Sequence, residues 1–134
     1  MLTYTYISKG KFGLVEKPKP TIQHERDAIV KVTLASICSS DLHIKHGSVP
    51  RAVEGITVGH EMVGIVEEVG SAVTHVKTGG VDGCDCEETL KLIAEGKLNT
   101  DPLITHTYSL ALIDEAYELF ENKRDGVIKV AVEC

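Results

Sequence analysis

Tryptophan is absent and aromatic residues make up only 4% of the chain. A surplus of positive charge is also lacking: 14 Lys and Arg against 20 Asp and Glu leave a formal net charge of −6. That balance excludes a nucleic-acid partner, because neutralising phosphates takes clustered Lys and Arg. No apolar run approaches the ~20 residues of a membrane span, so no membrane partner is expected. The start, Met1-Leu2-Thr3-Tyr4, has neither the basic n-region nor the apolar core of a signal peptide, and the cytoplasm is the expected compartment. Cysteines are few: Cys38, Cys84, Cys86 and Cys134. In a secreted chain they would suggest two disulfides; without a signal, free thiols or metal ligands are expected, and a small disulfide-linked secreted domain is set aside. Cys84 and Cys86 stand too close for an easy disulfide, and no second Cys or His pair at zinc spacing accompanies them.

The 134 residues, 43% hydrophobic and 25% charged, are one domain's worth of soluble globular chain. Strands are expected over Leu2–Ile7 and Phe12–Glu16 around a Lys9-Gly10-Lys11 turn, with Lys17-Pro18-Lys19-Pro20 extended. The strongest strand signal is Ala28–Ile37, where Val30, Val32 and Leu34 alternate with Lys31 and Thr33. His46–Pro50 reads as loop and Met62–Val69 as strand. After Lys77-Thr78-Gly79-Gly80-Val81-Asp82-Gly83 the pattern turns helical. Asp85 with Glu88 resembles a capping box, Leu90, Ile93 and Ala94 form an apolar stripe, and Gly96 is a stop. Pro102 ends a loop before a Leu103–Tyr108 strand, Ser109 is a helix cap, Leu112, Ala116, Leu119 and Phe120 fall at helical spacing, and Val127–Val132 is a last strand. Short strands at this spacing with turn signals suggest a small barrel or sandwich.

Within this frame Gly59-His60-Glu61-Met62-Val63-Gly64 sets an imidazole beside a carboxylate, and both coordinate Zn²⁺. An isolated His-Glu would be a polar turn, but Gly59 and Gly64 suggest backbone at positive φ or in close approach, as site-building turns need. The run from Gly59 to Gly70 resembles the zinc signature of the medium-chain alcohol dehydrogenases. Cys38-Ser39-Ser40-Asp41-Leu42-His43 resembles the cysteine motif that precedes that signature, departing from it at Ser39, where glycine is usual. Leu103-Ile104-Thr105-His106 and the segment to Val132 resemble the family's C-terminal return. The resemblance implies a mainly β (α+β) fold, a GroES-like, partly open β-barrel with a few helices. It further implies a single catalytic domain over 1–134, built from halves 1–77 and 84–134 joined at 78–83.

By the same resemblance Cys38 and His60 are zinc ligands and Glu61 a third or alternate one. Cys38 alone would read as a buried structural cysteine. Glu61 and His60 can face one metal only where the backbone turns, since neighbours on a regular strand point to opposite faces. Ser40 and His43 resemble a proton relay and Asp41 a group orienting His60; read alone they are a turn serine, a surface histidine and a cap aspartate. His24, His75 and His106 lack spaced partners, and Glu67-Glu68 is a solvated strand end.

The family's nucleotide-binding domain has no counterpart here, for no Gly-x-Gly-x-x-Gly triad occurs in the sequence, and its four-cysteine structural zinc lobe is absent too. The expected function is therefore the zinc-binding catalytic domain of an NAD(P)-dependent alcohol dehydrogenase, acting on a small alcohol or carbonyl substrate in the full-length family and inactive alone. The alternative is a non-enzymatic GroES-like module without metal. An exposed apolar face is expected as well, with a homo-oligomer as a candidate state.

Overall fold

The computed structural model describes the backbone of residues 1–79 and 87–134, and side chains over 1–79 and 90–134. The expected capping box at Asp85, the Cys84/Cys86 pair and most of the joint at 78–83 lie outside the described residues. Among the described residues, six strands and three α-helices follow in the order β1 (Leu2–Ser8), β2 (Lys11–Glu16), β3 (Ala28–Ser36), α1 (Ser39–Lys45), β4 (Glu61–Val69), α2 (Glu87–Ala94), β5 (Ile104–Ser109), α3 (Ile113–Glu121) and β6 (Lys129–Glu133). The β1–β2 hairpin is antiparallel, Tyr4 opposite Leu14. The second sheet runs β4-β3-β6-β5. Its sheets do not close on one another, which is the mainly β, partly open architecture expected.

β3 is the hinge of this arrangement. On one side it pairs antiparallel with β4, Ser36 opposite Glu61 and Val32 opposite Gly64. On the other it pairs antiparallel with β6, Leu34 opposite Glu133 and Ser36 opposite Ala131. β5 then runs parallel to β6, which requires a crossover, and α3 supplies it. Gly64 is needed where β4 crosses β3: a Cβ there would lie 2.3 Å from the Lys31 carbonyl oxygen.

The core joins both halves: Tyr4, Tyr6, Phe12 and Ile37 pack with Ile113, Ala116, Tyr117, Val130 and Val132. Sparse as aromatics are, they are concentrated here. Tyr4 and Tyr117 rings lie 5.0 Å apart and Phe12 meets Tyr117 edge-on at 5.5 Å, contacts worth about 0.5–1.5 kcal/mol each beyond burial. The Tyr4 hydroxyl donates to Asp114 at 2.7 Å, so burying the ring leaves its polar end satisfied.

Several expectations shift once the chain is packed. Ser39–Lys45 is a helix, which the site motif hid because its polar residues serve the site rather than a stripe. Ser109 caps only a 3₁₀ turn at Leu110–Leu112, without a side-chain hydrogen bond. α3 starts at Ile113, and its inner face is Ile113, Ala116 and Tyr117, with Leu112 46% exposed. Of the expected stripe, Ala116 is fully buried and Leu119 and Phe120 pack against the core, while Leu112 falls in the 3₁₀ turn and Ile113 and Tyr117 take its place on the inner face. Leu90 is also exposed and Ile93 half-buried, so the stripe on α2 is only partly covered by the described residues, while Gly96 does end that helix at φ +68. β6 begins two residues late because Asp125 and Gly126 take left-handed conformations in the turn before it.

Candidate metal centre

Ile37 is 1% exposed, and its amide donates to the Val130 carbonyl at 3.1 Å. The end of β3 is thereby pinned to β6, and Cys38 follows as the N-cap of α1 in an extended conformation. Asp41, three residues on and fully buried, accepts the Cys38 amide through Oδ2 at 3.0 Å, while the Asp41 amide donates to the Cys38 carbonyl at 3.0 Å. That reciprocal closure satisfies two amides and fixes how Cys38 leaves the strand.

His60 arrives from the other side. Gly59 at φ +113 bends the chain just before β4, so His60 sits ahead of the strand and Glu61 on its first residue. This bend lets neighbouring side chains face one point. Donor atoms of Cys38, His60 and Glu61 all lie within 4.8 Å of one another. The Ser40 hydroxyl stands between two of them: it donates to Cys38 Sγ at 3.1 Å and lies 3.0 Å from His60 Nε2. With the metal-free ring doubly protonated, Nε2 donates to Ser40 and Ser40 to sulfur, a continuous chain from imidazole to thiol, while Nδ1 faces Asp41. The electrostatics agree. The Ser40 hydrogen bond, ahead of a weaker one from His60, holds the Cys38 thiol below its ordinary range. The Cys38 sulfur in turn raises His60, with Asp41 adding to it against burial.

Glu61 is engaged from the second half. Lys129, the first residue of β6, forms a hydrogen-bonded ion pair with Glu61 Oε2 and is the main cause that holds its carboxyl below the ordinary range. Beside this pair an apolar groove of about 260 Å³ runs between Leu34, Ala35, Leu103, Ile104 and Ala131. Sequence reasoning missed Lys129; its only sign is a charge opening an otherwise apolar strand. It also missed Tyr117, 4% exposed, whose phenol is pushed up first by burial and then by the neighbouring Asp41 carboxylate.

The structure therefore brings Cys38, Ser40, Asp41, His60 and Glu61 together. His43 is not among them: it is exposed, one helical turn beyond Ser40. His106, expected to be without a partner, lies 3.1 Å from Asp125 and 2.9 Å from the Thr105 hydroxyl, a brace for the β5–β6 end.

The donor set fits zinc. Thiolate, imidazole and carboxylate are its usual ligands, and donors sharing a tetrahedral ion at about 2.0–2.3 Å lie roughly 3.3–3.8 Å apart, within reach of side-chain rotation here. Asp41 Oδ1 supplies an independent sign: it is buried without a hydrogen bond, yet 3.3 Å from His60 Nδ1. A metal-ligating histidine commonly donates its second ring N–H to such a carboxylate, and this one faces the ring nitrogen that Ser40 leaves free.

Known proteins resemble this chain over part of its length. The zinc-type alcohol dehydrogenase-like protein AdhB of Bacillus subtilis is 46% identical over 79 residues, 59% of this chain and 21% of that protein. The chain thus spans about a fifth of the length of the curated relatives it matches. Zinc-dependent alcohol dehydrogenase 2 from Streptococcus pneumonia superposes with a TM-score of 0.58 at 43% identity, over 60% of this chain and 23% of the other. Quinone oxidoreductase of Escherichia coli, at 17% identity, shares the fold alone, with a TM-score of 0.55 over 83% of this chain and 45% of its own. A share of 83% is more than residues 1–79 contain, so the likeness of fold reaches into the second half. Residues 24–99 match the family model of the alcohol dehydrogenase GroES-like domain, more than half of the chain, and the chain belongs to that family.

Proposed function

We propose that this chain is the zinc-holding catalytic domain of an NAD(P)-dependent alcohol dehydrogenase. Its ligands would be Cys38 and His60 with Glu61 in reserve, and its substrate a small alcohol or carbonyl compound. The observation that carries this reading is the convergence of three donor atoms within 4.8 Å around a hydroxyl that touches two of them. A zinc ion held there would supply Lewis acidity toward an alcohol oxygen. Asp41 holds His60 in the tautomer that presents Nε2. Ser40 Oγ, between sulfur and imidazole, is placed to accept the hydroxyl proton of an alcohol and pass it on. His43, one turn along α1 and open to water, is the group to which that proton can go.

Residues 1–134 act in this reading as one unit built from 1–77 and 84–134. The pairing of β3 with both β4 and β6 and a core drawn from both halves support it. The nicotinamide cofactor would be held outside this chain, since the sequence has no glycine fingerprint for its pyrophosphate. Hydride transfer needs the reacting carbons held at about 3–3.5 Å, and the chain alone is therefore expected not to reduce NAD(P)⁺.

The test is metal analysis with a binding assay. The chain should hold one zinc that the Cys38→Ala, His60→Ala double variant loses, and the cobalt-loaded chain should show an absorption change on adding a primary alcohol. Zinc content unchanged in the double variant, or cobalt bands indifferent to alcohol, would sink the reading. Steady NAD(P)H production by the chain alone would refute the claim that the cofactor is held elsewhere.

A further inference from the structure

We propose that Lys129 is a built-in competitor for the metal centre: by pairing with Glu61 it withholds the third donor, so that a divalent cation is held by Cys38 and His60 and takes up the carboxylate only when Lys129 lets go. The inference rests on the metal reading above and adds a residue from the opposite end of the chain. Glu61 has a carboxylate oxygen within 4.8 Å of both the sulfur and the imidazole donor, close enough to join them. Its Oε2 is instead occupied by the Lys129 ammonium. The ion pair draws the carboxylate's charge and fixes its orientation toward β6, which makes it a poorer metal donor through either oxygen, so ammonium and metal ion compete for it.

Three features make Lys129 a releasable partner rather than a permanent lock. The Lys129 and Glu61 side chains are 33% and 35% exposed, so water can take over either charge. Lysine is a point charge on a flexible stem, and releasing it takes a rotamer change without moving the backbone. The stem already lines the apolar groove beside Leu103, Ile104 and Ala131, which offers its methylenes a surface once the ammonium turns outward. Asp41 is the contrast within the same site: fully buried and facing His60 with no cation against it, it can only support a ligand. Position on the sheet explains the pairing. β3 lies between β4 and β6, and Ser36 faces Glu61 on one side and Ala131 on the other, so the first residues of β4 and β6 lie across the end of one strand.

The proposal is tested by Co²⁺ titration of the full chain, read from visible ligand-field bands, for wild type, Lys129→Met and Lys129→Arg, each with Glu61 and with Glu61→Gln. Lys129→Met should tighten Co²⁺ by about three- to tenfold, between the worth of a half-exposed ion pair and that of an outer partner of a metal ligand. It should also change the band shape as a carboxylate joins the ligand set. With Glu61→Gln the same substitution should give no tightening. Equal tightening in both backgrounds would show charge repulsion alone and overturn the proposal, as would no tightening with Glu61 present. Should Lys129→Met fail to fold, Lys129→Arg carries the test. Its planar fork grips a carboxylate in two places, so binding should weaken with Glu61 and not with Glu61→Gln, and no difference overturns the proposal. Co²⁺ binding unchanged in the Cys38→Ala, His60→Ala variant would instead place the metal elsewhere and remove the underlying reading.

Discussion

β4 and β6 flank the same strand, β3, yet they are opposite in character. β6 buries Val130, Ala131 and Val132 at 0–4% exposure, whereas β4 buries only Val66 and leaves Met62, Val63 and Ile65 exposed. The strand that begins with a metal-ligand candidate is thus the open edge of the sheet, and the strand that begins with its cationic partner is the packed centre. Donors and support are divided between the halves. Cys38, Ser40, Asp41, His60 and Glu61 come from the first; Tyr117, Lys129 and Glu121 come from the second and hold α1 and Glu61 in place. A site needs an accessible face for substrate and a rigid back for geometry, and here each half of the chain provides one.

The sharpest way to break this comparison is to remove the support. Tyr117→Ala deletes a ring that packs on Tyr4 and Phe12 and should cost about 3–5 kcal/mol of stability, read as a fall in denaturation midpoint. It should carry both halves with it in a single transition. A first half that kept its own cooperative melt would show that the halves are independent.

A smaller effect should come from the tie between α1 and α3. Glu121 accepts from Lys45 and from His46, the latter at 2.7 Å. Lys45 first, then His46, holds its carboxyl below the ordinary range against burial. A carboxyl whose pKa is lowered in the folded state adds stability above the unfolded value of about 4.3, and that stability is lost as pH falls through the folded value. Wild type should therefore exceed Glu121→Gln by up to about 1 kcal/mol near neutrality, and the difference should shrink progressively as pH falls below about 4.3. Thermal melts across pH 3–7 would check this, and a difference that grew toward acid would contradict it.

The smallest effect should be on the open edge. Met62→Ala, at a side chain 58% exposed, should change stability by no more than about 0.5 kcal/mol. A loss comparable to that of Tyr117→Ala would mean that β4 is covered in solution by a partner, such as a second copy of the chain.

How much of this was legible beforehand follows from the range of each signal. The strands were readable because alternation is a local pattern, and Ala28–Ile37 shows it plainly. The donors Cys38, His60 and Glu61 stood out because a soft ligand set beside glycines has no purpose in an ordinary turn, and local order placed Ser40 and Asp41 with them. α1 was missed because its seven residues are too short a run to show a helical period: Leu42 and Ile44 alone are apolar, two positions apart. On α3, Ala116, Leu119 and Phe120 were legible from their spacing, and only Leu112 was misplaced, because it lies in a 3₁₀ turn, whose three-residue repeat differs from the helix's 3.6.

Composition and local order thus settled the chain's class and its strands and singled out the candidate donor atoms. They could not settle which side chains face those donors across the fold, because such contacts depend on sheet order and not on spacing. Lys129 meets Glu61 from 68 residues away, and Tyr117 comes against Asp41 only after β5, α3 and β6 have crossed over to lie beside β3. Pairing of β6 with β3 decides both, and no short-range pattern in the sequence encodes which strand will be β3's second neighbour.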